Sequence, residues 1–191
     1  MFSTYIIYIC IMSIYLYMGN DTKDGDIMIF IKSLKDYIGK DNFDSIVKYI
    51  YDITKDSLDI YKDYHDWYYE KMINGINTPK RNILLAINNG DIVGIIFLKK
   101  DIDEKKVCTI YVKKDFRKLG IGSILMEEGL KWLDTDKPLV TVADDRLEEF
   151  LPLVRKYKFN LDRIIPNLYR LGHNEYIFNE NTNILVRKKC Q

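Results

Sequence analysis

Apolar and polar positions between residues 27 and 178 alternate with the periods of short strands and amphipathic helices. Phe43, Ile46, Val47 and Ile50 recur at the i, i+3, i+4, i+7 spacing, which predicts a helix with one buried face. The chain therefore has the pattern of a domain that mixes helices and strands.

A β-hairpin is predicted between the apolar runs Ile83–Ile87 and Ile92–Leu98. The intervening sequence, Asn88-Asn89-Gly90-Asp91, contains Asn-Gly, which readily adopts the positive φ angles of a tight turn. The two runs therefore form neighbouring antiparallel strands.

The remaining patterns complete the order of elements. A second helix is predicted, with Ser57 as its N-cap and with Tyr61, Tyr64, His65, Tyr68 and Met72 along it. In chain order, strands are predicted at 27–31, 83–87, 92–98, 107–112 and 139–142, helices at 43–50, 124–133 and 145–158, and a closing hairpin at 168–171 and 175–178.

Composition limits the classes of function. The chain has 191 residues, enough for one domain with a full core, and its net charge of +1 indicates no general attraction to nucleic acid or membrane. Three cysteines and two histidines are spread without metal-ligand spacing, so no metal site is expected. The cysteine usage is typical of a reducing compartment, and we expect a cytoplasmic protein.

Tyr5–Met18 is an apolar, tyrosine-rich run near the N-terminus. It is shorter than the roughly 20 apolar residues of a transmembrane helix, and no basic residue precedes it. We interpret residues 1–25 as a hydrophobic extension and linker, and residues 26–191 as the domain. A membrane anchor and a strand packed on the domain stay open as alternatives.

A glycine-rich loop, Arg117-Lys118-Leu119-Gly120-Ile121-Gly122-Ser123, separates the 107–112 strand from the following helix. The unpaired amides at a helix start, together with the helix dipole, favour an anion such as phosphate. The loop lacks the Lys-Ser or Lys-Thr of a P-loop after Gly122, and Leu125 replaces the third glycine of a dinucleotide-binding fingerprint.

The remaining pattern, [RQ]-x-x-G-x-G after a strand and before a helix, resembles the acetyl-CoA loop of the GNAT superfamily of N-acetyltransferases. The predicted element order is also similar to that superfamily from Asp26 to Asn179. The resemblance implies an α/β (α+β) fold, with a mixed, mostly antiparallel sheet of about six to seven strands and about four flanking helices. It also implies a gap between strands 107–112 and 139–142 that holds the pantetheine arm of acetyl-CoA, the co-substrate.

The resemblance assigns backbone roles to two segments. Ile110, Tyr111 and Val112 are expected to contact pantetheine and the thioester carbonyl. Lys118, Leu119, Gly120, Ile121, Gly122 and Ser123 are expected to bind pyrophosphate through their N–H groups, with charge added by Arg117 and Lys118. An ordinary core strand at Ile110 and Val112, and a solvated loop at Arg117 and Lys118, are the alternatives.

At the positions where many family members have their catalytic acid and base, this sequence has other residues. Lys106 and Cys108 lie where many members have a glutamate. Val154 and Lys158 replace the tyrosine and glycine of a final Tyr-x-x-x-Gly-Phe.

Asp144, just past the 139–142 strand, is the candidate for a catalytic base or a water-holding group. Its alternative role is N-capping of the next helix, which we favour for the neighbouring Asp145.

The sequence offers a few candidate residues for binding the acceptor. Trp67, Tyr68 and Tyr169 are candidates to shape the acceptor pocket, whereas His65 is more simply a packed or half-exposed helix residue. The leading hypothesis is an acetyl-CoA-dependent N-acetyltransferase that acts on a primary amine of a small molecule or protein.

Other hypotheses stay open. They are a non-catalytic acyl-CoA-binding or regulatory domain, a toxin that acetylates aminoacyl-tRNA, and a membrane-tethered enzyme. The oligomeric state is undetermined, with a homodimer as one option.

Overall fold

The computed structural model describes residues 16–18, 28–58 and 61–180. Helix α2 begins as an α-helix at Tyr64–Asp66 and continues as a π-helix over Trp67–Ile73. The other elements are β1 (Leu16–Met18), β2 (Met28–Ser33), α1 (Phe43–Leu58), β3 (Arg81–Asn88), β4 (Asp91–Lys100), β5 (Lys105–Val112), α3 (Ile121–Leu133), β6 (Leu139–Ala143), α4 (Leu147–Tyr157), β7 (Leu161–Pro166) and β8 (Asn174–Phe178).

One sheet runs through the described part of the chain, with eight strands in the order β1-β2-β3-β4-β5-β6-β8-β7. All neighbouring strands are antiparallel except β5 and β6, which are parallel. This confirms the predicted mixed, mostly antiparallel sheet, to which the short β1 adds an edge strand. The Asn89-Gly90 turn joins β3 to β4, and both residues have positive φ angles, as the hairpin pattern predicts.

Hydrophobic cores lie on both faces of the sheet. On one face α3 and α4 pack through residues such as Leu125 and Phe150. On the other face α1 and α2 pack through Ile50 and Tyr68, among others, which confirms the predicted buried stripe of α1. The Tyr68 hydroxyl is satisfied inside this core because it donates to the carbonyl oxygen of Val47 at 2.8 Å. Tyr68 is fully buried, so its predicted place in an acceptor pocket is wrong.

Helix α3 approaches the sheet closely because two contact positions are glycines. A Cβ on Gly129 would lie 2.9 Å from Cδ1 of Ile96, and one on Gly94 would lie 2.9 Å from Cδ1 of Leu125. Real Cβ atoms do not approach so closely. The start of α3 is therefore held firmly against β4, next to the glycine-rich loop.

Two predicted elements differ from the structure. The predicted start of the second helix at Ser57 is wrong, because position 57 lies within α1 and the second helix begins at Tyr64. The strand before β8 is β7 at Leu161–Pro166, and the predicted strand at 168–171 is part of the connecting turn. Positive φ angles at Asn167 and Gly172 close this turn, and its apolar Leu171 is 92% exposed.

The prediction for the N-terminal run falls mostly outside the described residues, as does the predicted linker at 20–26. Leu16–Met18 pairs antiparallel with β2, opposite Phe30 to Met28. This pairing favours the alternative of a strand packed on the domain. Within the described ranges, no helix combines the length and apolarity needed to cross a membrane.

Candidate functional site

The sheet splits between its two parallel strands. In the described chain, β5 and β6 pair only at their starts, Lys106 with Leu139 and Val107 with Val140. Beyond these pairs β5 continues to Val112 and β6 continues to Ala143. The predicted gap between the two strands is therefore confirmed.

A β-bulge lies where the strands begin to separate. On the β4 side, Leu98 pairs with Val107 and Phe97 pairs with Thr109, which leaves Cys108 as the extra residue of β5. A bulge bends its strand and increases the local twist. We infer that the bulge at Cys108 turns the rest of β5 away from β6.

A cleft of about 920 Å³ occupies the gap and continues along the glycine-rich loop. Its walls come from the separated parts of both strands, the loop, the start of α4 and the aromatic segment at α2. Strand residues in the lining are Lys106, Val107, Cys108, Thr109, Ile110, Tyr111, Val112, Val140, Thr141, Val142 and Ala143. The predicted pantetheine segment, Ile110–Val112, thus borders the cleft.

The loop opens α3 toward this cleft. Lys118 and Gly120 have positive φ angles of 63° and 83°, and the helix begins at Ile121. The N–H groups of Ser123 and Ile124 donate to the Gly120 carbonyl at 2.9 and 3.1 Å. The amides of Ile121 and Gly122 occupy the first helical positions, where no intrahelical acceptor exists.

Side chains of the loop divide between cleft and core. Arg117, Lys118, Gly120, Gly122 and Ser123 line the cleft. Leu119 packs on the α3 core and Ile121 is buried in it, so these two contribute backbone only. A Cβ at Gly122 would contact only Cγ2 of Val112, at 3.9 Å, so space for a ligand remains in front of this residue.

Arg117 braces the loop. Its Nε donates to the carbonyl oxygen of Val112 at 3.1 Å, and its Nη1 lies 3.6 Å from Oε1 of Glu149 on α4. The loop is therefore tied to the end of β5 and to α4, and the guanidinium charge is shared with a carboxylate. Arg117 and Lys118 of the loop and Arg146 before α4 are cationic residues that line this part of the cleft.

A profile of the acetyltransferase (GNAT) family matches residues 47–146, which is more than half of the chain and includes the loop and both strands of the gap. The protein belongs to the GNAT family of acetyltransferases. Members of this family use acetyl-CoA as co-substrate.

Solved structures share the fold. One is an acetyltransferase from Bacillus anthracis str. Ames, provisionally named a streptothricin acetyltransferase, in complex with acetyl-CoA. Its TM-score is 0.50 at 20% identity, over 56% of this chain and 67% of that one.

Two further structures match less closely. The ribosomal-protein-S18-alanine N-acetyltransferase from Escherichia coli gives a TM-score of 0.48 at 18% identity, over 56% and 72% of the two chains. Ard1 from Thermoplasma volcanium gives 0.46 at 26% identity, over 50% and 67%. A comparison with curated proteins gave no significant match.

In this GNAT protein Asp144 lies in a turn after β6 and is heavily hydrogen-bonded. Its Oδ1 accepts from the backbone N–H of Asp145 at 2.8 Å and lies 2.8 Å from Nδ1 of His173, and its Oδ2 accepts from the backbone N–H of Asn174 at 3.0 Å. The bonds from Asn174 and His173 lower the pKa of Asp144. A carboxylate stabilised in its ionised form is a weak proton acceptor.

Asp144 is also not among the residues that line the cleft in the described chain. Its catalytic role stays a prediction, which these contacts do not favour. The geometry instead assigns Asp144 to holding the β8 turn against the end of β6.

Asp145 does not cap α4. A 3₁₀ turn at Asp144–Arg146 precedes the helix, and no side-chain hydrogen bond caps it. Asp145 Oδ1 instead accepts from Nη2 of Arg170 at 2.7 Å. Asp144, Asp145 and His173 place potential metal-ligand atoms within 4.8 Å of one another. The Asp144 carboxylate, however, is already hydrogen-bonded to His173, and the Asp145 carboxylate to Arg170.

The motif substitutions also have structural consequences. Val154 packs partly buried against the α3 and α4 core, and Lys158 has the positive φ of 51° that the family's glycine would adopt freely. Cys108 lies half-buried in the cleft lining, and the buried surroundings of its thiol raise the pKa of that thiol.

Trp67 and Tyr169, two of the residues predicted to shape the acceptor pocket, line the cleft. Sequence reasoning missed the charged and aromatic cluster that Tyr169 forms with Tyr61, Arg170 and Glu175. Glu175 is 1% exposed, and neither of its carboxylate oxygens accepts a hydrogen bond from a described residue. Burial raises the pKa of Glu175, and burial together with the charge of Glu175 raises the pKa of Tyr61 to about 12. The alternation of side chains along β8 could have indicated the buried position of Glu175. Glu175 lies two residues before the buried Ile177, so both side chains point to the same face of the sheet.

Proposed function

We propose that this protein transfers the acetyl group of acetyl-CoA to a primary amine of a small molecule or protein. The observation that carries the proposal is the junction of the split between β5 and β6 with the helix-opening loop at Arg117–Ser123. A helix start suited to phosphate and a slot between strands together match a ligand with a slender arm that is joined to a pyrophosphate, as the pantetheine arm is in acetyl-CoA. The acetyl-CoA complex of the B. anthracis protein, which has the same fold, supports this choice of ligand.

The loop is proposed to hold the pyrophosphate. The amides of Lys118, Leu119, Gly120, Ile121, Gly122 and Ser123 are the proposed donors. Ser123 already donates to the Gly120 carbonyl, so it would share its hydrogen. The helix dipole and the side chains of Arg117 and Lys118 add positive charge at the same place.

Strand β5 is proposed to hold the pantetheine arm through the backbone of Ile110, Tyr111 and Val112. Their pairing with β4 uses one edge of the strand, and the opposite edge borders the cleft. An N–H of this free edge directed at the thioester oxygen would stabilise the oxyanion that forms during acyl transfer. Deletion of such a donor typically costs about 3–4 kcal/mol of transition-state stabilisation.

The proposed reaction is direct attack of the amine on the thioester. The acceptor enters as an ammonium ion with an ordinary pKa of about 10.4 and must lose a proton before its nitrogen can attack. The protein therefore needs a proton acceptor near the thioester end of the cleft.

Titration calorimetry with acetyl-CoA, followed by a panel of amines read by mass spectrometry, tests the proposal. We expect acetyl-CoA to bind and at least one amine to gain 42 mass units, which is about the mass of an added acetyl group less one hydrogen. Binding without turnover across a broad panel of small amines and peptide N-termini would favour the alternative of a regulatory acyl-CoA-binding domain. Absence of acetyl-CoA binding would contradict the proposal.

A further inference from the structure

The end of the cleft that lies away from the glycine-rich loop indicates the chemistry of the acceptor, provided that the acetyltransferase function proposed above holds. We propose that the acceptor amine also carries a carboxylate, which binds to the ammonium group of Lys106. Amino acids, and peptides with an acidic residue next to their N-terminus, have this chemistry.

The cleft has a loop end and a closed end along β5. At the loop end, a Cβ on Gly122 would lie 3.9 Å from Cγ2 of Val112. At the closed end, Lys106 and Val107 pair with β6, so the two strands are joined there. A ligand whose pyrophosphate lies at the loop therefore extends along β5 from Val112 toward Lys106.

The length of the pantetheine arm indicates where its thioester would lie. The arm has about twelve bonds between the phosphate oxygen and the sulfur, as many as about four residues of extended backbone, which span about 13 Å. The part of β5 from Val112 to Cys108 covers about the same distance. The thioester of a ligand held at the loop would therefore lie near Cys108, close to Lys106.

Lys106 points to the face of the sheet that carries α1 and α2. Its neighbour Val107 pairs with Leu98, and both belong to the core under α3 and α4. Because side chains alternate along a strand, Lys106 points to the opposite face. There it lines the cleft together with Tyr61 and Trp67. The start of α3 covers the other face, so a second substrate would reach the thioester past Lys106 and these two rings.

The lysines near the closed end differ in whether they are paired. Nζ of Lys99 lies 2.6 Å from Oε1 of Glu104, and Nζ of Lys105 lies 3.5 Å from Oδ2 of Asp134. The side chain of Lys106 forms neither an ion pair nor a hydrogen bond with any residue that the structure describes. Its charge is therefore available to a ligand in the cleft.

Positive charge prevails around the closed end. Burial raises the pKa of the Cys108 thiol. Three cations, Lys106, Arg81 and Lys99, counteract this rise, whereas one carboxylate, Glu104, adds to it. A substrate near Cys108 would thus meet an excess of positive charge, and such a field favours an anionic group.

The carboxylates on this side leave the charge of Lys106 incompletely balanced. Glu175 is 1% exposed, and burial raises its pKa, so it is ionised less readily than an ordinary glutamate. Lys106 counteracts this rise without forming an ion pair with Glu175 among the described contacts. Asp63, in the cleft lining, stands next to Lys62, and their opposite charges offset each other.

Aromatic rings add an apolar wall beside Lys106. The Trp67 ring is held by Phe97, with 5.9 Å between centroids, and the Tyr61 ring contacts Tyr169 edge to face, also at 5.9 Å. A single cation next to flat rings suits a molecule that combines a carboxylate with apolar atoms. The long flexible side chain of Lys106 allows its ammonium group to reach a carboxylate as close to the amine as in an α-amino acid.

Two matched pairs of acceptors test the proposal. An α-amino acid with an apolar side chain is compared with its amide, and a peptide with aspartate in second place is compared with the same peptide carrying asparagine. The members of a pair differ in one carboxylate, and the two pairs separate a small-molecule source from a peptide source. For each acceptor, kcat and KM are measured with the wild type and with the variants Lys106→Gln and Lys106→Arg.

Lys105→Gln is the matched control. It removes one positive charge from the adjacent residue of β5, whose Nζ donates to the carbonyl oxygen of Asp134 at the end of α3. Because Lys105 does not line the cleft, its loss should leave the discrimination between charged and neutral acceptors unchanged. Acetyl-CoA affinity by calorimetry and thermal melting accompany the assays of every variant.

We expect the wild type to favour the charged member of at least one pair. Lys106→Gln should lower the ratio of kcat/KM between the charged and the neutral member by about ten-fold or more, as is typical for loss of a hydrogen bond to a charged group. The change should appear mainly in KM, and activity toward the neutral member should fall much less. Lys106→Arg keeps the charge and should keep most of the discrimination.

Equal losses for both members of each pair in Lys106→Gln would indicate a structural role of Lys106 and overturn the proposal. An unchanged ratio in that variant would overturn it as well. If the wild type binds acetyl-CoA and acetylates only amines that lack a carboxylate, the proposal is wrong but the acetyltransferase function stands. Failure of the wild type to bind acetyl-CoA would contradict both.

Discussion

The Tyr157 hydroxyl donates a hydrogen bond to the carbonyl oxygen of Ser123 over 2.9 Å. This bond joins the last turn of α4 to the first turn of α3, where the glycine-rich loop ends. Ser123 is one of the residues that line the cleft. The position of the proposed pyrophosphate site thus depends on a helix that is distant in sequence.

Tyr157→Phe is expected to loosen this connection without emptying the core, because the ring stays. Loss of one part-buried hydrogen bond should lower the free energy of unfolding by about 0.5–1.5 kcal/mol. Acetyl-CoA affinity should fall a few-fold as the loop becomes less well ordered. Denaturant unfolding and calorimetry measure the two effects.

Tyr49→Phe is the control for this change. The Tyr49 hydroxyl accepts from Nζ of Lys113 on an exposed surface, so its loss should alter neither quantity measurably. Unchanged affinity in Tyr157→Phe would show that the α4 contact does not organise the loop.

Gly122→Glu is expected to abolish acetyl-CoA binding with little loss of fold. The new side chain would occupy the space of the ligand and repel its phosphates, while a negative charge near a helix N-terminus typically stabilises by 0.3–1 kcal/mol. Gly122→Ala is the matched control, because its Cβ would meet only Val112, at 3.9 Å. Affinity and melting temperature of both variants are compared, and unchanged affinity in Gly122→Glu would contradict the phosphate site.

Lys158→Gly is expected to stabilise the protein by about 0.5–1 kcal/mol. Lys158 ends α4 with a φ of 51°, a left-handed conformation that costs non-glycine residues roughly 1–2 kcal/mol. The greater freedom of glycine in the unfolded chain offsets part of the gain. Lys156→Gly, within the helix, should instead destabilise by about 1 kcal/mol. The midpoints of denaturant unfolding of both variants and the wild type measure these changes. A loss of stability in Lys158→Gly would show that the positive φ of Lys158 does not strain the protein.

Glu175 should make stability depend on pH. Burial raises its pKa in the folded protein above the unfolded value, so the folded state binds this proton more tightly. Stability should therefore decrease as pH rises from the unfolded pKa through the folded one. Glu175→Gln should remove this decrease and melt higher than wild type above that window. If the melting temperatures of the two proteins change with pH in the same way from pH 4 to about 8, the pKa of Glu175 is not raised by folding.

Deletion of residues 1–24 is expected to leave a folded protein that binds acetyl-CoA. The deletion removes β1, three residues long, which pairs only with β2 in the described chain. We propose that the domain begins with β2. Circular dichroism and calorimetry on the shortened chain test this, and loss of folding would show that the apolar run belongs to the core.

The N-terminal half of the site was predictable from the sequence because its signals are local. The strand before the loop, the glycines and the start of α3 lie within residues 105–133, and each signal reflects backbone chemistry of neighbouring residues. The hairpin at Asn89-Gly90 and the buried stripe of α1 were predictable for the same reason. Errors occurred where polar and apolar residues had no clear period, as in the turn after β7.

The environments of two carboxylates depended on tertiary structure. Asp144 and Glu175 are both carboxylates near strand ends, and the sequence alone favours the first as a base. Pairing of β6 with β8 gives Asp144 two hydrogen bonds, with His173 and Asn174, and leaves Glu175 buried without one from a described residue. A carboxylate's proton affinity is set by its desolvation and its donors, and these come from residues far apart in the chain.

Local signals were enough to predict the order of elements and the glycine-rich loop before α3, since periodicity and glycine placement act over a few residues. Packing of distant segments sets where β5 and β6 separate and which carboxylates are hydrogen-bonded or buried. Strand register controls both features, because a shift of one residue moves every side chain to the other face. Register is a property of paired strands, and it is fixed only when distant segments pack together.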